Sequence, residues 1–232
     1  LNTENAGPAE PLRVSPPEAV DYQRIQVSDT DLLDEQAVST LVKSLPAHRQ
    51  IDLVQCAGLS AGSYHVPDDN PYLPVDALPT GLPTAEFDVI VRSLLLLVQA
   101  LIARWRKQPE TRVVVVNSMS GIRPYPYGYA HASAKAGLHN AVRSLALELA
   151  KDNIFVSEVN PGAVDTGFYD PASVQEAVTT IGREFGYDYH NATVPQMPPS
   201  AVGDAVVLCL TSPAHVLSID AVARGQFPHH GA

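Results

Sequence analysis

The sequence predicts an α/β protein: an open, doubly wound parallel sheet with helices on both faces, in three α/β/α layers. Two observations carry that prediction. Ile51–Gln55, Thr111–Val116 and Ile154–Val159 are short, largely apolar or β-branched runs, the pattern of strands covered on both faces. Long apolar helical stripes separate these runs, and strands alternating with helices build parallel sheets.

In chain order, residues 1–20 hold Pro8, Pro11, Pro16 and Pro17 among few apolar positions, which predicts an extended arm ahead of a single domain over 21–232. Tyr22–Val27 reads as a strand, and the acidic turn Asp29-Thr30-Asp31 reads as the opening of a helix. That helix carries an apolar stripe at Val38, Leu41, Val42 and Leu45 and ends at Pro46. Ile51–Gln55 is a buried strand closed by Ala57-Gly58. The loop after it holds Pro67, Pro71, Pro74, Pro79 and Pro83, and a loop that long is expected to cover a site or a partner surface.

Thr84 reads as the N-cap of a long helix reaching about Lys107, whose run Leu94–Val98 demands burial on two sides. Thr111–Val116 is the central strand, Tyr129–Ala150 a second long helix, and Ile154–Val159 the next strand. Beyond Pro161-Gly162 follow a polar helix near Ser173–Phe185, a helix over Ser200–Leu210 with Ser200 as its cap, and a last strand at Ser218–Ala223.

At 232 residues the chain can bury one sizeable core, and its formal charge of -10 repels phosphate backbones and anionic lipid. Nucleic acid and membrane surfaces are thereby disfavoured as partners. The most apolar stretch, Val89–Ala103, contains Arg92 and Gln99 and is shorter than the ~20 residues a bilayer crossing requires. No basic segment leading into an apolar one opens the chain, which predicts a cytoplasmic protein. Cys56 and Cys209 stand in apolar runs without paired spacing and read as buried free thiols, with no metal site. Asn191-Ala192-Thr193 reads as a chance sequon, and His229-His230 carries no role.

From Tyr22 to Gln226 a set of short motifs, in order, resembles the short-chain dehydrogenase/reductase superfamily, which has a Rossmann-like fold. Asp29-Thr30-Asp31 is similar to the family's acidic turn after its third strand, and Cys56-Ala57-Gly58 to its Asn-Asn-Ala-Gly turn after the fourth. Asn117-Ser118-Met119-Ser120-Gly121 resembles the strand end that carries the catalytic serine, and Ser133-Ala134-Lys135-Ala136-Gly137 the active-site helix. Asn160-Pro161-Gly162-Ala163-Val164-Asp165-Thr166 is similar to the Pro-Gly-x-Val-x-Thr segment. The resemblance implies Lys135 and a serine as catalytic residues. The strand end points to Ser120 and the spacing to the helix points to Ser118. It further implies Asp29, Ala57, Gly58, Lys135, Pro161, Gly162 and Thr166 as nicotinamide-dinucleotide positions.

The departures are as informative as the matches. The family's glycine-rich turn, whose amides meet the cofactor pyrophosphate at a helix N-terminus, has no counterpart: Gly7 precedes a proline-rich arm, and Gly58-x-x-x-Gly62 leads into a loop. The first β-α-β unit is expected to be missing. At the position of the catalytic tyrosine stands His131, four residues before Lys135 and on the same helical face. An imidazole beside an ammonium is a better base than acid. Tyr125, Tyr127 and Tyr129 in the preceding loop read as packing aromatics, and the helix after Thr84 lacks the asparagine with which the family holds a water. Tyr187 and Tyr189 fall in the substrate-loop region.

Three functions are consistent with this pattern. The first is a catalytically depleted subunit that supports an intact ketone/alcohol oxidoreductase of the family, or pairs with itself, through its two long helices, with no cofactor of its own. The second is a cofactor-free dehydratase, isomerase or cyclase using His131, Lys135 and a serine. The third is an NAD(P)-dependent oxidoreductase whose N-terminal part precedes Leu1.

Overall fold

The computed structural model describes residues 26–59, 73–166, 179–180, 182–184 and 195–226. Four parallel strands, β1 (Leu53–Gln55), β2 (Thr111–Val116), β3 (Ile154–Pro161) and β4 (Ser218–Ala221), lie side by side in chain order. Register is continuous from Leu53↔Val113 through Thr111↔Ile154 to Glu158↔Ser218.

Alternate residues of β2 and β3 face opposite layers, as the strand period of two requires. Val113, Val115, Ile154 and Val156 point into the larger core. That core is closed by α1 (Glu35–Ser44), α3 (Ser93–Trp105) and α4 (Tyr129–Leu149). Val114 and Val159 face the other way, against Cys209 and the apolar side of α5 (Pro199–Thr211). The architecture is therefore the three-layer α/β/α sheet that the sequence predicts.

A π-helical turn interrupts what the sequence suggests is one long helix after β1. It comprises α2 (Leu82–Phe87), a π-helical turn over Asp88–Arg92 and then α3. The buried Ser93 hydroxyl donates to the Val89 carbonyl at 2.5 Å, filling the widened turn. π-Bulges of this kind concentrate at functional sites. Phe87, the last residue of α2, packs over Gly137 of α4, where a Cβ would lie 3.0 Å from its ring.

Several boundaries differ from expectation. Tyr22–Ile25 lie outside the described residues, and Gln26 and Val27 form no strand. The helix after them is capped by Asp34, whose carboxylate accepts from the amides of Gln36 and Ala37, so Asp29-Thr30-Asp31 stays irregular. The long helix starts at Leu82-Pro83 and not at Thr84. Likewise α5 starts at Pro199, so Ser200 lies inside it and caps nothing. In both, proline in the first turn sets the start, because its fixed φ suits that turn and its missing N–H costs nothing there. Four residues of Leu94–Val98 are buried, but Leu95 is 48% exposed. Cys209 is buried as expected, whereas Cys56, one residue past β1, is exposed. The predicted helix at Ser173–Phe185 falls mostly outside the described residues, with helical backbone at 179–180 and 182–184. The 1–20 arm, Pro67, Pro71, Tyr187, Tyr189, Asn191 and His229-His230 also lie outside them.

Candidate active site

In parallel sheets of this kind ligands meet the protein beyond the carboxyl ends of the strands. Those ends hold Gln55, Asn117 and Pro161. Asn117 ties β2 to α4 twice: its side-chain amide donates to the Lys135 carbonyl at 3.1 Å, and its own carbonyl accepts from Lys135 Nζ at 3.3 Å. A second proton of the same amide goes to Glu158 Oε1 at 2.6 Å.

The chain then turns through a short 3-10 helix, Met119–Gly121. Ser118 caps it, its Oγ accepting from the Ser120 amide at 3.1 Å, and the Ser120 hydroxyl donates to the same oxygen at 2.8 Å. Gly121 is required here: a Cβ would meet the Lys135 carbonyl oxygen at 2.6 Å and its carbon at 2.7 Å. This contact seats the serine turn on α4 beside Lys135. Both candidate serines thus share one hydrogen bond, with Ser120 buried and Ser118 half-buried.

Lys135 is only 6% exposed. Burial lowers its pKa from the ordinary 10.5 to about 8, opposed by the negative fields of Glu86, Cys56 and Glu158. The Cys56 thiol is itself pushed up by desolvation, with the Lys135 ammonium pulling it down. One turn before Lys135, His131 places Nδ1 3.5 Å from Glu86 Oε2, with side chains 16% and 8% exposed. Glu86 reaches in from α2, and its Oε2 is buried with no hydrogen-bond partner.

A second buried pair lies one turn further along α4. Glu158 of β3 takes His139 Nδ1 at 2.8 Å and the Asn160 amide at 3.3 Å, in addition to Asn117. Its donors come from the residue after β2, from β3 and from α4, so it ties those elements together.

The sequence-predicted residues separate into two sets. His131 and Lys135 stand one turn apart on α4, and the turn of Ser118 and Ser120 packs on that helix beside Lys135 through Gly121. Ala57 and Gly58 follow the end of β1, and Pro161 ends β3. Gly162 passes so close to Gln226 that a Cβ would lie 2.3 Å from Oε1, and this oxygen accepts from the amide of Ala163 at 2.9 Å. Thr166 follows in the turn, its amide donating to Val164 O at 2.9 Å. Asp29 is exposed ahead of α1 and sits at no strand end. Among the loop tyrosines, Tyr125 packs on Gly128, Tyr129 is exposed, and Tyr127 donates to the Glu184 carboxylate from a left-handed backbone with φ of 65°. Sequence reasoning missed both buried carboxylates. Glu158 had a signal, a lone charge inside an otherwise buried strand. Glu86 had none, because the cap expected at Thr84 puts it in a first helical turn, where a glutamate is common on the surface.

The family model for short chain dehydrogenases matches residues 9–177. The chain belongs to the short chain dehydrogenase family. Among curated relatives, an uncharacterized oxidoreductase of Staphylococcus epidermidis is 30% identical over 129 residues, covering 56% of this chain and 49% of the relative. One from Staphylococcus aureus is 27% identical over 129 residues, 56% of this chain and 48% of the relative. The chain thus spans about half the length of the curated relatives it matches.

Solved structures share the fold. An alcohol dehydrogenase from Thermococcus sibiricus, complexed with 5-hydroxy-NADP, superposes with a TM-score of 0.65 at 20% identity, covering 87% of this chain and 75% of that one. An NADPH-bound short chain oxidoreductase of Pseudomonas aeruginosa with an atypical catalytic center gives 0.61 at 19% identity, with 87% and 76% covered.

A dinucleotide, which the family implies, fits the described residues of this chain at one end only. Lys135 and the Pro161–Thr166 segment could face a nicotinamide ribose. The diphosphate finds no cradle among the described residues: the α1 N-terminus is filled by the Asp34 carboxylate, which would repel phosphate, and β1 leads into an irregular turn. Nor do the described residues hold a His/Cys/Asp/Glu group suited to a metal ion, or a helix long and apolar enough to cross a membrane.

Proposed function

We propose that this chain is an acid–base member of its family, acting on a small carbonyl or β-hydroxycarbonyl substrate without a dinucleotide of its own. His131 Nε2 removes a proton from the carbon next to the carbonyl. Ser120, its hydroxyl turned from Ser118 to the substrate, donates a hydrogen bond to the carbonyl oxygen, and the Lys135 ammonium stabilises the negative charge that gathers there. Where a β-hydroxyl is present it leaves as water, taking the proton from His131, and an unsaturated carbonyl remains. Return of that proton to another carbon gives isomerisation instead.

The observation that carries this reading is the buried Lys135 ammonium one turn from His131. A site kept only for packing would be filled more cheaply by an apolar side chain, because burying a charge is costly. The test is a nucleotide-free assay of β-hydroxyketones and β,γ-unsaturated ketones, following the conjugated product optically. His131→Ala should lower turnover by about 10²- to 10⁴-fold. Turnover indifferent to that change, or strictly dependent on added NAD(P), would contradict the reading.

A second reading is supported by a different observation. Leu95 on α3 and Leu147 on α4 are 48% and 84% exposed, so the two long helices present apolar side chains for a partner. On this reading the chain supports an intact short chain dehydrogenase subunit, which brings NAD(P), or pairs with a second copy. Co-purification with a complete family member would favour it, and a chain monomeric in both settings would oppose it.

A further inference from the structure

The site contains one charged group that the acid–base reading above leaves without a task. Glu86 projects from α2 into the space over α4, with its side chain 8% exposed and its Oε2 lacking any hydrogen bond. A carboxylate buried in that way is expensive, since a buried acceptor without a partner has given up its water for nothing, and a charged one loses more. Packing does not explain its presence. The nearby cation of its own segment, Arg92, is turned to Glu35 at 3.9 Å. The groups facing Glu86 are the His131 ring at 3.5 Å and, through its field, Lys135.

We propose that Glu86 is the positioning residue for His131. Its carboxylate receives the proton on Nδ1, which fixes the ring orientation and leaves the Nε2 lone pair on the side of the ring away from Glu86. The 3.5 Å separation closes to a charge-assisted hydrogen bond of about 2.8 Å by a small side-chain torsion. The geometry explains two further features. The π-helical turn begins at Asp88, two residues after Glu86, and a local widening of the helix rotates the residues before it relative to α3. The close approach of Phe87 to Gly137 then brings α2 near enough to α4 for a glutamate to reach the ring. Free imidazole favours the proton on Nε2, so a neutral ring held as the Nδ1–H form needs an acceptor at Nδ1, and Glu86 supplies it.

This inference rests on the acid–base reading of His131, but its test does not use activity. Histidine is labelled with 15N in the full chain, and the protonated ring nitrogen of His131 is identified in long-range 1H–15N spectra at a pH where the ring is neutral. His131→Ala provides the assignment. The expected result is the Nδ1–H form in the wild type, retained in Glu86→Gln, whose amide oxygen still accepts, and replaced by the Nε2–H form in Glu86→Ala. A wild-type ring protonated on Nε2 would overturn the proposal, and so would a Glu86→Ala spectrum unchanged from wild type. Should Glu86→Ala fail to fold, the wild-type and Glu86→Gln spectra decide alone: Nδ1–H in both supports the proposal, and Nε2–H in either one overturns it. If instead His131→Ala leaves turnover unchanged while the ring is Nδ1–H, the acid–base reading fails and the positioning role of Glu86 stands.

Discussion

Replacing Lys135 by methionine separates the cost of burying an ammonium from its use. Lys135 is 6% exposed, and burial lowers its pKa from 10.5 to about 8. Below pH 8 the folded and unfolded chains both carry the proton, so the folded state bears the whole penalty. Between pH 8 and 10.5 the unfolded chain holds more protons than the folded one, and stability therefore rises with pH in that window. An interval of that width corresponds to about 3 kcal/mol. Methionine has similar length and no charge, so Lys135→Met should lack that rise. Urea unfolding followed by circular dichroism at pH 7 and pH 10, on both proteins, gives the difference directly, and titrations elsewhere cancel. Most of the 3 kcal/mol should appear as a steeper wild-type gain. Parallel pH dependence of the two proteins would show that the ammonium is solvated and refute the reasoning.

Other expectations follow from the same contacts. Turnover should fall as pH rises through about 8, where the Lys135 ammonium is lost, and a pH–rate profile reads this; Lys135→Arg should move that limb to higher pH. Gly121→Ala presses a Cβ against the Lys135 carbonyl at 2.6 Å, so it should destabilise by about 1–3 kcal/mol in chemical denaturation and reduce activity as well. Gly162→Ala meets only the tip of the Gln226 side chain and should cost about 1 kcal/mol, with part of that cost removed in a Gln226→Ala background. His139→Ala leaves Glu158, 1% exposed, without its imidazole. The expected loss is about 3–5 kcal/mol, measured by thermal or urea unfolding.

The sheet was legible because its signal is local. Thr111–Val116 is a β-branched run whose composition alone identifies a strand buried on both faces, and it forms over those residues. Helix starts were less legible. Thr84 and Ser200 are good capping residues, yet each lies within a helix that a neighbouring proline had already begun. At the site, Ser120, His131 and Lys135 could be found because short motifs keep them at fixed spacings on one strand end and one helix. Glu86 and Glu158 could not be assigned partners in that way. Their significance lies in which elements pack over them, and a carboxylate on a helix or strand says nothing of what it will face until the crossover connections are closed. Cys56 was misjudged for a related reason: it follows an apolar run, but among the described residues that run is the outermost strand, with Val54 43% exposed.

On the acid–base reading, His131 moves protons at a site that needs no dinucleotide from this chain. Deuterium incorporation next to the carbonyl of small ketones, followed by NMR in D2O with nucleotide-free protein, tests it most directly. Wild-type protein should exchange the proton well above the buffer rate, and His131→Ala should return the rate to background. Equal exchange by both proteins, or none until NAD(P) is added, would contradict the account.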